Sequence, residues 1–487
     1  MTATAPMPEL PVAVVGAGPV GLAAAAHLVD RGLPFVVLEA GDRVGAAVRG
    51  WGHVRTFTPW QWIVDPTAER LLAPTGWARP ATPVPPTGDE LVEHYLEPLA
   101  GVLGDAVRLG QRVVAVSRDG MDKTRTVGRA ERPFVLRVRE ATGRTSELRA
   151  SAVIDASGTW EQRNPLGAAG LPALGEQEAA AFLVGPLPDV LGRERARFAG
   201  RRTLVVGAGH SAAGTLLALG RLAADHPGTC VVWAIRSSSP DAVYGGGAAD
   251  ALPARGQLGT DLRRLVDRGV VELVASFATS ALAVDGDTVT VVGSTDGSER
   301  RIAGLHNVVA ATGFRPDLGL LSELQLDLSP ALEAPTRLAP LIDPQFHSCG
   351  TVPPHGHRDL AHPDPGLYVV GSKSYGRAPT FLVPTGNEQV RSVVAALAGD
   401  LDAADDVQLV LPETGVCSVD ARGVDTAASG ACCGSDTGVE DLAVPAAAHR
   451  SRPDGLSAQG LPTGGPGGGR VAALALADRG AGGCCAG

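Results

Sequence analysis

The glycines of Val12-Ala13-Val14-Val15-Gly16-Ala17-Gly18-Pro19-Val20-Gly21 have the spacing at which a chain can cradle a pyrophosphate. Gly16 permits a tight turn, Gly18 removes a side chain where phosphate must touch backbone, and Gly21 lets a helix pack close to the preceding strand. Glu39 follows the next apolar run, Phe35-Val36-Val37-Leu38, where a carboxylate meets the hydroxyls of an adenosine ribose. An acid there repels a 2′-phosphate, so this site takes FAD or NAD and not NADP. A second cradle reads Leu204-Val205-Val206-Gly207-Ala208-Gly209-His210-Ser211-Ala212, of the G-x-G-x-x-A form. The strand after it, Cys230 to Ala234, runs into Ile235-Arg236-Ser237-Ser238. An arginine among serines suits a 2′-phosphate, so this site takes NADPH. His210 has two readings, a contact to the dinucleotide phosphates and a plain helix cap.

These residues need strands and helices to aim them. Val12 to Val15 and Leu204 to Val206 are short β-branched runs of the kind buried in a parallel sheet. Val20 to Val29 and Ser211 to Leu222 read as the following helices, whose free N–H groups and positive dipole ends face the phosphates. Arg31-Gly32-Leu33-Pro34 ends the first helix. Ala152 to Gly158, Val308 to Pro316 and Gly366 to Gly371 are further strands that run into small-residue turns. Gln111 to Val116 and Phe134 to Arg139 alternate as antiparallel strands do. Asp89 to Leu99 and Thr385 to Leu397 are expected helices.

The chain has 487 residues, a net charge of −10 and 44% hydrophobic residues. The length corresponds to about three domains. The negative charge gives no footprint for nucleic acid, and no basic amphipathic helix points to a membrane surface. The apolar run from Pro11 to Val29 lacks a basic leader, so a cytoplasmic location is expected. Seven cysteines, Cys230, Cys349, Cys417, Cys432, Cys433, Cys484 and Cys485, make an odd count that argues against a disulfide framework. His347, Cys349, His355 and His357 match no standard zinc spacing, so no metal site is expected. A glycine-rich run at 464–469 marks the end of the chain as a flexible tail.

Taken together, GAGPVG at 16–21 with Glu39, DASG at 155–158, GAGHSA at 207–212 with Arg236, and ATGFRPD at 311–317 resemble flavin-containing monooxygenases with two dinucleotide-binding domains. The resemblance implies an α/β fold with two Rossmann-like domains. It expects an FAD domain formed by 10–195 and 315–400, an inserted NADPH domain at 196–314, an extension at 401–444 and a low-complexity tail at 445–487. It implies FAD contacts from Gly16, Gly18, Pro19, Gly21, Glu39, Asp155, Ser157, Gly158, Gly371, Thr385 and Asn387. It likewise implies that Gly207, Gly209, His210, Ser211 and Arg236 serve NADPH, with Thr312 and Gly313 in the linker back to the flavin. The F-x-G-x-x-x-H of that class does not occur; residues 182–189 read FLVGPLPD. The departure bears on substrate range and on oxygenation itself.

The stretches PDVLGRERARFAG at 188–200, HSCGTVPPHG at 347–356, KSYGRAPTFL at 373–382 and LPETGVCS at 411–418 resemble a bacterial flavoprotein group associated with arsenic-resistance clusters. The two resemblances imply hydride transfer from NADPH to FAD, then oxygenation of a small sulfur, nitrogen or trivalent arsenic substrate by dioxygen through a C(4a)-peroxyflavin. Arg55 and Trp60 are expected in an aromatic wall after the first βαβ unit, and Cys349 near the flavin as a soft ligand. Other readings are a metalloid or disulfide reductase using the pairs Cys432-Cys433 and Cys484-Cys485, and a redox-sensing flavoprotein without catalysis. Assembly as a homodimer stays open.

Overall fold

Among the described residues, sixteen strands and a handful of long helices build two copies of one layered arrangement. The computed structural model describes residues 10–245, 253–347, 352–409 and 411. Cys349, the later cysteines and the expected tail lie outside them.

The first sheet contains β1 (Val12–Val15), β2 (Phe35–Leu38), β3 (Val107–Arg108), β7 (Ala152–Asp155) and β16 (Leu367–Val369). All its pairs are parallel, in the order β16-β7-β1-β2-β3. Each face buries alternate residues, as the two-residue period of a strand requires. Val12, Val14 and Ile154 pack under helix α1 (Pro19–Asp30). Ala13, Val15, Val36 and Val153 face a meander of β4 (Gln111–Arg118), β5 (Phe134–Glu140) and β6 (Thr145–Ala150).

The second sheet repeats the plan. It holds β8 (Leu183–Val184), β9 (Arg202–Val206), β10 (Cys230–Ala234), β11 (Val271–Val274) and β15 (Asn307–Ala310), again parallel, in the order β11-β10-β9-β15-β8. Helices α2 (His210–Asp225) and α3 (Pro253–Asp267) belong to one face, with Val205, Trp233 and Val309. The other face, with Leu204, Val232 and Val308, meets a second meander of β12 (Ala278–Asp285), β13 (Thr288–Thr295) and β14 (Ser298–Leu305). Trp233 is fully buried, and its indole N–H donates to the Gly207 carbonyl at 2.8 Å, tying this core to the second cradle.

The chain leaves the first sheet at β7 and returns to it at β16 only after completing the second sheet. A buried ion pair secures the return. Lys373 lies in the turn Gly371–Tyr375, after β16. Its Nζ is 2.7 Å from Asp155 Oδ2 and 3.0 Å from Ser157 Oγ, and both charged side chains have no solvent exposure. Helix α4 (Val383–Leu397) then packs beside α1.

Removing one member of a buried ion pair strands the other without a partner. Lys373→Met is therefore expected to lower the unfolding free energy by about 3–5 kcal/mol, measured by urea denaturation. The double variant Asp155→Asn, Lys373→Met removes both charges and is expected to recover most of that loss. Equal destabilisation in the single and double variants would show that the ion pair is not the reason for the loss.

Candidate functional site

The first cradle is shaped by three glycines with different jobs. Gly16 has φ +100°, and a Cβ on it would stand 2.9 Å from the Ala156 carbonyl oxygen. A Cβ on Gly21 would stand 2.0 Å from Gly16 O, so glycine there sets the approach of α1 to β1. A Cβ on Gly18 would meet nothing within 4 Å, because Gly18 faces open space. Helix α1 starts at Pro19 with no side-chain cap and no acid in its first turn. Other helices of the chain are capped, by Asp65 on the N–H groups of Thr67 and Ala68 and by the Thr87–Glu90 box. The start of α1 is thus left for an anion.

A cavity of about 990 Å³ opens over this cradle. At one end stands Glu39, whose Oε2 accepts the Ala17 N–H at 2.7 Å and whose Oε1 accepts the Gly41 N–H at 2.8 Å. Each oxygen keeps a second lone pair for a ligand hydroxyl. Arg112 and Glu161 pair at 2.7 and 3.1 Å on the cavity's rim, where the guanidinium holds the Glu161 carboxyl below its ordinary range. From Gly16, Gly18 and Pro19 the cavity continues past Ser157 and Gly158 to Gly371 and Ser372. Phe381 and Val383 supply apolar wall near Gly371, and Val48 and Trp51 add apolar lining to the cavity. Helix α4 begins at Val383, again with no side-chain cap and no acid in its first turn, so the positive end of its dipole opens on this wall.

The second cradle is more open. Gly207 has φ +136°, and its Cβ would lie 2.1 Å from the Ala311 carbonyl oxygen, whereas Gly209 faces free space. Helix α2 begins at His210 with neither a side-chain cap nor a first-turn acid. The exposed His210 ring lies 5.1 Å from the Phe57 ring, so the loop after the first βαβ unit reaches the second cradle. Ser211 follows in the first turn of α2. Arg236 is exposed just beyond β10, and its Nη1 contacts the Ala168 carbonyl at 3.3 Å.

The remaining site expectations fall elsewhere. Asp155 does not line the cavity; it is buried beneath it, its carboxylate taken by Lys373 and by the N–H and O–H of Ser157. Because the Ser157 hydroxyl donates to Asp155, it can only accept from a ligand. Thr312 Oγ1 donates to the Asn164 carbonyl at 2.7 Å, and Asn164 donates to the carbonyls of Thr312 and Phe314, which fixes the turn at Gly313. Thr385 and Asn387 are buried in α4 outside the cavity lining, and Asn387 donates to the Ile63 carbonyl at 3.3 Å.

Arg55 and Trp60 do not wall the cavity. Arg55 is exposed and binds the Pro85 carbonyl and, at 3.3 Å, Glu90. Trp60 opens the short helix Trp60–Ile63, which turns it into the core. Trp51, in the same loop, is the tryptophan at the wall. Trp160 and Arg163 also line the cavity, with Trp160 5.4 Å from Phe314 of the linker. Their only sequence signal was proximity to DASG. Cys349 lies outside the described residues. Among the described residues no cluster of His, Cys, Asp or Glu has the arrangement to hold a metal ion, and no helix is long and apolar enough to cross a membrane.

A family model described as an NAD(P)-binding Rossmann-like domain matches residues 14–72, from β1 through the helix Pro66–Leu72. No curated protein matches the sequence. Among solved structures, bacillithiol disulfide reductase from Bacillus cereus is similar with a TM-score of 0.61 and 16% identity over 80% of this chain and 99% of that one. The FAD-bound cadaverine monooxygenase of desferrioxamine biosynthesis from Erwinia amylovora has a TM-score of 0.56 and 14% identity, over 84% and 99% of the two chains. A flavin monooxygenase variant from Stenotrophomonas maltophilia has a TM-score of 0.51 and 23% identity, over 80% and 100%. The fold is therefore that of the two-dinucleotide-binding-domain flavoproteins, found in these comparisons in monooxygenases and in a disulfide reductase alike.

Proposed function

We propose that this chain is an FAD- and NADPH-dependent monooxygenase that oxygenates a small soft nucleophile, a sulfur, nitrogen or trivalent arsenic centre. The observation that carries this reading is the long cavity running from Glu39, over the uncapped start of α1, to the apolar wall at Gly371 and Val383. Its ends differ as the ends of FAD differ. Glu39 would take the ribose hydroxyls, and the first-turn N–H groups of α1 would take the pyrophosphate. The turn at Gly371, the start of α4 and the side chains of Trp51 and Phe381 would seat the flavin ring.

In this reading the flavin domain is discontinuous, 10–195 with 315–400, and the nicotinamide domain is 196–314. Bound FAD would pass electrons from NADPH to dioxygen, placing one oxygen atom on the substrate and the other in water. Arg236 and its neighbouring serines would hold the 2′-phosphate of NADPH. Trp51, Val48, Phe381 and Val383 would exclude water from the reacting end. The substrate class rests on the resemblance of residues 188–200, 347–356 and 373–382 to flavoproteins of arsenic-resistance clusters.

A flavin-dependent reductase is the second reading. It draws on the likeness to bacillithiol disulfide reductase and on the adjacent pairs Cys432-Cys433 and Cys484-Cys485.

Two measurements test these assignments. Arg236→Ala is expected to weaken NADPH binding by about tenfold to a hundredfold, the scale of a charged hydrogen-bond set, while FAD content stays that of the wild type. Unchanged NADPH affinity would remove Arg236 from the site. Dioxygen uptake is expected to rise with a soft substrate such as arsenite or a thioether, with oxygenated product formed one-to-one with NADPH. NADPH oxidation that gives only hydrogen peroxide with every substrate would argue against oxygenation, and activity lost on truncation before Cys432 would favour the cysteine relay.

A further inference from the structure

His355 belongs to the histidine- and cysteine-bearing segment 347–357, yet its chemistry points inward to the cavity wall. The ring is 1% exposed, and its contacts fix its tautomer. Nδ1 lies 3.0 Å from the Pro353 carbonyl, which only accepts, so Nδ1 carries the proton. Nε2 is then an acceptor and takes an N–H from the Gln389 amide at 3.1 Å.

Gln389, on α4, is fully buried, and its amide is oriented by what surrounds it. Its Oε1 accepts the Gly371 N–H at 2.8 Å, and its Nε2 also donates to Ser374 Oγ at 3.0 Å. Ser374 Oγ in turn donates to the Gly371 carbonyl at 2.8 Å. Both backbone polar groups of Gly371, a residue of the cavity wall with φ +69°, are thus held from behind. A flipped Gln389 amide would set its NH₂ against the Gly371 N–H, donor against donor. Ser374 does not settle the choice, since a hydroxyl serves as donor or acceptor. His355 Nε2, an acceptor only, opposes the flip from the other end of the amide, as the Gly371 N–H does from its own.

We propose that His355 is a positioning residue for the cofactor: its neutral Nε2 sets the Gln389 amide, which fixes the Gly371 backbone where the flavin ring seats. This rests on the reading above that the cavity holds FAD. Burial holds the His355 pKa below the ordinary histidine value, against the weaker opposing pull of the Pro353 carbonyl and then of Asp359 and Glu388, so the accepting form is the one present near neutral pH. Glu388 is itself held by Arg391 at 2.7 and 2.8 Å, and Tyr375 packs its ring 5.8 Å from the imidazole.

The test compares holoenzymes. His355→Leu keeps apolar bulk and removes the acceptor; His355→Gln restores one acceptor and one donor. His355→Leu is expected to raise the dissociation constant of FAD by roughly fivefold to tenfold, read by flavin fluorescence on dilution, and to shift the visible flavin band. NADPH affinity should stay unchanged, and His355→Gln should lie within about twofold of the wild type, less than half the effect of one net hydrogen bond. Wild-type FAD affinity and spectrum in His355→Leu would overturn the proposal, as would equal losses in both variants. Gln389→Glu gives a second test should His355→Leu fail to fold. A carboxylate there still accepts the Gly371 N–H and draws a proton onto His355 Nε2, so FAD affinity is expected to fall as pH rises and that proton is lost. A flat pH profile in this variant would overturn the proposal. A wild-type protein that binds no FAD would instead overturn the flavin reading on which it rests.

Discussion

The buried pair between Lys373 and Asp155 closes a sheet whose parts lie 218 residues apart in the chain. A parallel sheet gains stability from pairing but must bring distant strands together, and a long excursion raises the entropic cost of doing so. Here the excursion is the whole second sheet with its meander. Strand β16 offers only Leu367, Tyr368 and Val369 to β7, a short seam for that closure. The lysine adds a charged anchor one turn beyond the seam. The same device recurs at the other end of β16, where Asp364 takes Arg129 at 2.8 Å and Arg118 at 3.1 Å, all three side chains buried. Buried charges are poor sources of net stability because of their desolvation. Their use on both sides of one short strand fits a need for register, since the cavity wall depends on where that strand lies.

Position is what the pair passes on to the site. Lys373 is bonded to Ser157 as well as Asp155, so the turn after β7 and the turn after β16 move as one piece. Both turns line the cavity. Gln389 and Ser374 hold the second turn from the opposite side. The wall at Gly371 is therefore clamped between two buried polar groups, one reaching forward to β7 and one back into α4. A site built in this way is rigid before any ligand arrives, which lowers the ordering that binding must impose.

Much of this was legible in the sequence, for a plain reason. Strands buried on both faces of a parallel sheet read as unbroken apolar runs, so Val12–Val15, Phe35–Leu38, Cys230–Ala234 and Ala152–Asp155 stand where the pattern set them. Glycines announce the cradles because no other residue fits Gly21 or Gly207. The second meander was not legible: β14 carries Ser298, Glu299, Arg300 and Arg301 on an exposed edge, and buries only Ile302 and Leu305. Nor did the sequence separate Trp51 from Trp60, which share a loop: Trp51 sits in a turn at the cavity, whereas the four-residue helix Trp60–Ile63 carries Trp60 into the core. Asp155 was legible as a motif acid, but its partner was not. A lysine in a serine- and glycine-rich stretch gives no sign that it will be sealed in the interior.

The two cradles share a fingerprint and differ in enclosure. The first is covered by segments from three distant parts of the chain, the turns after β1, β7 and β16. A ligand along its length would touch all three turns, which the buried ion pair ties together from beneath. At the second cradle Gly209, His210 and Arg236 are exposed. A ligand there would meet the helix start on one side and solvent on the other, so nothing buried must break for it to leave. The same G-x-G pattern thus stands in two surroundings, the first lined by three turns tied together from beneath and the second open to solvent at its helix start.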